Sequence, residues 1–374
     1  MLNGVRVLDL SRVLAGPMCT MMLGDLGADV IKVERPGTGD ESRSWGPPFD
    51  ERGLAAYYLS VNRNKWSVAL DLDAEADREV VRGLASQADV VVENFVRGAL
   101  DRRGLGAREL LAQNERLIWC TISGFGDGDR PGYDFVVQAE AGWMAITGEP
   151  AGSPMKIGVA LADVIAGKDA ASLVLAAIAA RERGTLGRDT AARHLHVSLL
   201  ASATAALVNV AQNTLVSGAD AKRWGNAHPN LCPYELFNTA DGAIVIAVGS
   251  DAQWLACCRA LGLDELANDE SLSTNTRRLT QRKRIVATMN SRLSSLVSGP
   301  ALAALRAASV PCGVVKSVKE ALAAVDASSA AGVHPHPPGR VRYPAPMLDE
   351  HGAVVREQGW GAYDRPETRD ERPE

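Results

Sequence analysis

Asp163 is the residue through which the chain's chemistry is most directly read. It stands near the start of GVALADVIAGKDAASLVLAAIAARER, Gly158 to Arg183, a run rich in Ala, Leu, Ile and Val that lacks proline. The pattern predicts a buried helix of about twenty residues, ending at Arg181-Glu182-Arg183 before a C-capping Gly184. An aspartate in the first turn faces the positive end of the helix dipole and backbone N–H groups without intrahelical acceptors. Both favour the charged form, so an ionised carboxylate is expected at neutral pH. Small neighbours, Ala160, Ala162, Ala166 and Gly167, leave room for a substrate to reach it. The same position also suits a plain N-cap, a purely structural duty.

The elements that must position this acid alternate along the first half of the chain. Strands are predicted at GVRVLDL, ADVIKVE, WSVALDL, ADVVVENF and RLIWCTISGF, with helices between them near 18–28, 74–87 and 105–113. Gly16 is read as a tight bend and Pro17 as a first helical residue. Alternating strands and helices imply an α/β, Rossmann-like parallel sheet covered on both faces, with ligands at the carboxyl ends of its strands. Those ends carry Ser11-Arg12-Val13, Glu34-Arg35-Pro36-Gly37, Asp71, Glu93-Asn94-Phe95 and Ser123-Gly124-Phe125-Gly126. Glu34 invites a ribose contact, but the first turn, SRVLAGP, lacks GxGxxG, and the glycines of GFGDG at 124–128 are too short a signal for NAD. The loop 36–66 holds Arg43, Arg63, Lys65, Trp45, Tyr57 and Tyr58, a set suited to a phosphorylated nucleotide or to a solvated surface.

Composition excludes several classes. The chain has 374 residues, a net charge of −5 and 46% hydrophobic residues, which fits a globular protein of one large or two smaller domains. No basic excess points to nucleic acid, and no apolar run reaches membrane-spanning length. The start, MLNGVRVLDLSRV, mixes acid and base and does not read as a signal peptide. None of the six cysteines forms a CxxC pair or a zinc-spaced cluster, so no metal is expected, and reduced buried thiols fit a cytoplasmic protein. His194 and His196 alternate on a predicted strand, where packing or surface roles suffice. Beyond about 220 the composition turns Pro/Asn/Gly-rich, then reads as a hairpin with Asp241-Gly242 as its turn, followed by helices and the strand VPCGVV. The domains expected are 1–200, a linker helix at 201–225, a small α/β domain at 226–322, and a C-terminal part at 323–374 ending in a charged, disordered tail.

In this order VRVLDLSRVLAGP, LGADVIKVERPGTGDESR, NRNKWSVALDL, DVVVENF, GYDFVVQAEAGWMAITG, GVALADVIAG and HPNLCPYELFNTADG resemble the class III CoA-transferase family, also called CaiB/BaiF. The resemblance implies a Rossmann-like large domain, a small domain, a C-terminal return to the large one, and two chains interlocked as a homodimer. It implies that Asp163 is a nucleophile that attacks an acyl-CoA thioester, forms a mixed anhydride, and then carries CoA as an aspartyl thioester before a carboxylic acid takes it. Coenzyme A is then a substrate, not a bound cofactor. Family CoA contacts carry over to Val13, Arg35, Leu70, Asn94, Phe95 and Arg102, with Tyr133 and Asp134 near the reacting end. Core packing is the competing role for Leu70, Phe95 and Tyr133, and loop capping for Asp134. Gln138 is read as facing its helix neighbours. SVNRNKWSV and AKRWGNAHPNLCPYELF look most like the branch that uses succinyl-CoA and dicarboxylic acids.

The chain departs from the family pattern in four places. The segment 327–352 is compressed, Arg97-Gly98 stands where Arg-Pro-Gly is common, 185–200 is longer, and no glycine run precedes Pro233, which disfavours oxalate and formate. An α-methylacyl-CoA racemase of the same fold would need a His before its Asp, where this chain has Gly132-Tyr133-Asp134. A non-catalytic CoA-binding protein is the other alternative, and the acid at Asp163 argues against it.

Overall fold

The structure is a computed structural model that describes residues 1–126 and 130–364. The end of the glycine run read at 124–128 and the tail from 365 lie outside the described residues. The chain divides into two compact units, Met1–Trp143 with Lys156–Gly218 and Val325–Glu374, and Met144–Met155 with Ala219–Ala324.

The first unit is built on a six-stranded sheet, all neighbours parallel, in the order β3-β2-β1-β4-β5-β6. The strands are β1 (Arg6–Asp9), β2 (Asp29–Glu34), β3 (Trp66–Ala69), β4 (Val90–Glu93), β5 (Ile118–Ser123) and β6 (His194–Ser198). Every residue of β2, β3 and β4 is buried, as expected for strands covered on both faces. The α-helices up to Gly218 are, in chain order, α1 (Ala15–Asp25), α2 (Ala56–Leu59), α3 (Glu75–Gln87), α4 (Ala107–Gln113), α5 (Asp134–Glu140), α6 (Trp143–Ile146), whose residues from Met144 belong to the second unit, α7 (Leu161–Glu182), α8 (Thr190–Arg193), α9 (Leu199–Ala205) and α10 (Val208–Ser217). One core packs α1 and α7 on one sheet face, through Cys19, Leu23, Ala166, Ala170 and Val174. The other face is covered by α3, α4 and the C-terminal residues Val355, Trp360 and Tyr363.

Gly167 sets the approach of α7 to α1: a Cβ there would lie 2.7 Å from the Ala15 carbonyl oxygen and 2.9 Å from Met18 Cβ. The bend expected at Gly16 is absent. Gly16 lies inside α1, where the Ser11 side chain leaves no space for a Cβ, and the left-handed backbone falls at Val13, φ 70°. The linker helix expected at 201–225 is in fact two helices, α9 and α10, bent by 71° where Val208 has φ 42° and ending at Ser217. No single helix among the described residues is long and apolar enough to cross a membrane.

The motif Asn62-Arg63-Asn64 fastens the returning chain. Arg63 pairs with Asp25 at 2.8 Å and donates to the Ala331 and Val333 carbonyls, while Asn64 bonds Asp25 and the backbone at Arg340 and Arg342. The second unit carries an antiparallel sheet, β7 (Tyr234–Thr239), β8 (Gly242–Ala247) and β9 (Cys312–Val314), over a helical core around Trp254, Ile285 and Leu305. Arg223 holds 144–155 to it by donating to the carbonyls of Ala145, Glu149 and Gly152.

Candidate functional site

The strand order reverses between β1 and β4, and the crevice beyond their carboxyl ends is where an open α/β sheet takes ligands. Asn94, just past β4, brackets the Arg12 peptide: its Oδ1 accepts the Arg12 N–H at 2.9 Å and its Nδ2 donates to the Arg12 carbonyl at 2.8 Å. The next residue, Val13, is held in its left-handed conformation by Asp40, whose two carboxylate oxygens both lie 3.2 Å from the Val13 nitrogen. Asp40 is fixed in turn by buried Lys32 at 3.0 Å. Burial alone would raise the Asp40 carboxyl, but Lys32 and the Ser42 hydrogen bonds outweigh it and hold it below the ordinary range.

Beside this loop a pocket opens at the ends of β1, β2 and β3. Arg35, Leu70 and Phe95 line it together with Arg12, Asp71 and Arg103. Arg12 lies over the Phe95 ring at 5.1 Å and pairs with Glu41 at 2.7 Å. Leu70 is a core residue with one edge on the pocket, whereas Arg35 is exposed. Arg102 is exposed too but does not line the pocket; its neighbour Arg103 does, paired with Asp73 at 2.8 Å.

The cations expected in the loop 36–66 are mostly committed elsewhere. Arg43 pairs with Glu34, Arg63 with Asp25, and Lys65 with Asp9 at 3.0 Å, all buried. These charges hold the fold and are not free for a phosphate. Glu34 is likewise no ribose acceptor, since Arg43, Ser67 and the Asp40 N–H occupy both of its oxygens.

Asp163 occupies the third residue of α7, where Ala160 is the N-cap and caps nothing. The helix end is capped from outside by Asp134, whose Oδ1 accepts from Ala162 N–H at 2.8 Å and Asp163 N–H at 3.4 Å. Among the described residues no group donates a hydrogen bond to the Asp163 carboxylate. The capping role considered for Asp163 therefore belongs to Asp134, and so does its share of the free N–H groups. Burial first, and the Asp134 charge second, push Asp163 up to about 7 from the ordinary 3.8. The fully ionised state expected from the helix end is thus corrected: burial and a like charge both act against ionisation here.

Tyr57 feels the charge of both acids. Burial and then the charges of Asp163, Asp134 and Asp40 push its phenol up to about 12, and its ring packs edge-on against Trp45 with centroids 5.0 Å apart. Val13, Tyr57, Ala160 and Val164 share one apolar cluster, which joins the pocket loop to the start of α7. Tyr133, the N-cap of α5, is 62% exposed and so is not a core residue. Gln138 does bond its helix neighbour Asp134, and it also reaches the 157–159 segment. Asp40, Arg103 and Gln138 are positions that the sequence left without a site role. Only the spacing of Asp134 and Gln138, four apart on a helix, signals a pair beforehand. Among the described residues no three His, Cys, Asp or Glu side chains converge as metal ligands.

An open parallel α/β sheet with a pocket beyond the carboxyl ends of its strands defines a doubly wound, ligand-binding class of fold. Residues 2–358 match the CoA-transferase family III, and the chain belongs to that family. It is 40% identical to the succinate–glutarate CoA-transferase of Agrobacterium fabrum, over 95% of this chain and 94% of that one. It is 42% identical to the succinyl-CoA:glutarate CoA-transferase of Mus musculus, over 85% of this chain and 73% of the other. A solved CAIB/BAIF family protein from Brucella suis superposes with a TM-score of 0.80 at 39% identity, covering 95% of this chain and 98% of that one. The protein is a class III CoA-transferase acting on acyl-CoA substrates.

Proposed function

We propose that the protein moves CoA from succinyl-CoA to a dicarboxylic acid such as glutarate through covalent intermediates on Asp163. The observation that carries this is the half-buried Asp163 carboxylate, to which no group among the described residues donates a hydrogen bond, while Asp134 takes the helix cap. A carboxylate without donors keeps its electron pairs for attack. It adds to the thioester carbonyl and expels CoA thiolate, which leaves a mixed anhydride. The thiolate then attacks the aspartyl carbonyl, which releases the donor acid and leaves CoA as a thioester on Asp163. The acceptor carboxylate repeats the two steps in reverse, and Asp163 is regenerated. Every step exchanges one acyl oxygen or sulfur for another, so no external oxidant or water is consumed. The relatives named for glutarate support the acceptor class.

In the same reading the pocket of Arg35, Leu70 and Phe95 takes the nucleotide end of CoA, Val13 and Asn94 shape the loop beside it, Arg102 lies outside near the phosphates, and Tyr133 flanks the reacting end. The homodimer belongs to this reading as well; its support is the apolar face of α10, where Val208, Leu215 and Val216 are 70%, 77% and 79% exposed. Incubation with succinyl-CoA, trapping with hydroxylamine and peptide mass spectrometry should place the adduct on Asp163 and not on the Asp163→Ala protein. Glutarate, malate, citramalate and oxalate then rank as acceptors. An adduct that persists in Asp163→Ala, or turnover retained by it, would sink the proposal. Arg35→Ala should raise KM for the acyl-CoA about tenfold, the loss of one charge-assisted contact, with kcat little changed.

A further inference from the structure

Residues 11–13, between β1 and α1, have their backbone held group by group by side chains. Ser11 N–H donates to Asp9 Oδ1 at 2.9 Å, and the Ser11 carbonyl accepts from Lys32 Nζ at 2.8 Å. Asn94 holds both ends of the Arg12 peptide, and Asp40 accepts from Val13 N–H. Val13 is β-branched and stands at φ 70°, in the left-handed region that such residues rarely enter. A residue persists there where its surroundings over-determine it, and such places cluster at ligand sites. Two of these holds meet at Lys32. It lies on β2 with 0% exposure, donates to Ser11, and pairs with Asp40 at 3.0 Å. The other acids that act on its charge, Asp9 and Glu34, have cations of their own in Lys65 and Arg43. Lys32, Asp40, Arg12 and Glu41 all line the pocket at the strand ends.

We propose that Lys32 is a positioning residue for acyl-CoA binding: through Ser11 and Asp40 it locks the strained 11–13 loop, and with it Arg12, against the pocket before substrate arrives. The proposal rests on the reading of this pocket as the CoA site. A buried ion pair is weak evidence of stabilisation, since an apolar pair of like volume often serves as well. What an apolar pair cannot do is hold a carbonyl and an N–H in place. Lys32 and Asp40 hold one of each, on either side of Arg12. The Arg12 guanidinium then lies over the Phe95 ring and pairs with Glu41, the residue after Asp40. A wall ordered in advance spares the ligand the cost of ordering it, so its loss appears in affinity and not in the transfer steps at Asp163.

The test compares two buried cations in the full chain. Lys32→Met strands Asp40, and Arg63→Met strands Asp25, so both should lower the denaturant midpoint. Only Lys32 lines the pocket. Calorimetric titration with coenzyme A should show binding about tenfold weaker in Lys32→Met, with KM for succinyl-CoA raised alike and kcat within about twofold. Arg63→Met should keep the wild-type affinity and KM. Where Lys32→Met does not fold, Lys32→Met combined with Asp40→Asn leaves no charge stranded and carries the same expectation, because the Ser11 carbonyl still lacks its donor. Affinity unmoved in a folded Lys32 variant overturns the proposal. So does an equal loss in Arg63→Met, which would make destabilisation alone the cause. Arg35→Ala separates the two readings. Affinity lost there but kept in the Lys32 variants counts against Lys32; affinity kept in all of them counts against the pocket as the CoA site, and the proposal falls with it.

Discussion

At Asp163 two effects of opposite sign meet. A helix start favours a carboxylate by at most about 2 kcal/mol, the equivalent of one to two pH units. Desolvation can raise a buried carboxyl by several units, and a neighbouring carboxylate adds to it. Burial first and the Asp134 charge second push this carboxyl up to about 7. Because the folded value lies above the ordinary 3.8, the acid contributes stability that is complete below about pH 4 and is lost as the pH rises through about 7. Asp163→Asn should therefore raise the unfolding free energy at pH 8, by up to about 4 kcal/mol, and change it little near pH 4. Denaturant unfolding at the two pH values checks this, and equal effects at both would contradict it. The position of Asp163 early in a helix was legible in the small-residue run that follows it. That its helix is capped from Asp134, 29 residues away in the chain, was not.

Elements meet at fixed distances, and Gly167 marks a close meeting of α7 with α1. Replacing it with alanine would gain about 1 kcal/mol of helix propensity. The added methyl would press on the Ala15 carbonyl oxygen at 2.7 Å, a backbone atom that cannot rotate away. Overpacking of this kind costs about 1–3 kcal/mol, so the steric term wins. Gly167→Ala should lower the denaturant midpoint and, by tilting α7, slow the transfer reaction. A rise in the midpoint would show that α1 and α7 can separate without loss. The alternating pattern of strands and helices made the sheet legible, since period and length distinguish β from α. The break between α9 and α10 escaped it, because Ala206-Leu207-Val208 carries neither proline nor glycine and a valine at φ 42° has no sequence signal.

For the first unit as a whole, the returning segment 325–364 is held by buried polar contacts centred on Asp25 and Arg63. Removing one partner strands a charge in the interior, at about 3–5 kcal/mol. Arg63→Met should lower stability by that order and expose the segment around 325–343 to limited proteolysis before the rest of the unit is cut. Cleavage elsewhere first would show that the return is secured by other contacts. The compressed stretch 327–352 raised the question of the return; 325–364 belongs to the same unit as the sheet.

By itself the sequence determined the elements, the order of their assembly and the family, because hydrophobic period, turn residues and a long series of ordered motifs are local properties of the chain. It also singled out Asp163 and gathered Arg35, Leu70 and Phe95 as candidates, which fall in one pocket. Only the tertiary structure decided which charges are available. Arg43, Arg63 and Lys65 read as nucleotide ligands or as a solvated surface, and Glu34 as inviting a ribose contact; they prove to be partners of one another and of Asp9 and Asp25. Only the folded chain, too, sets Asp134 and Gln138 behind Asp163. Charge pairing and desolvation depend on distance in space, and a one-dimensional pattern carries no record of which side chains a fold will bring within 3 Å of each other.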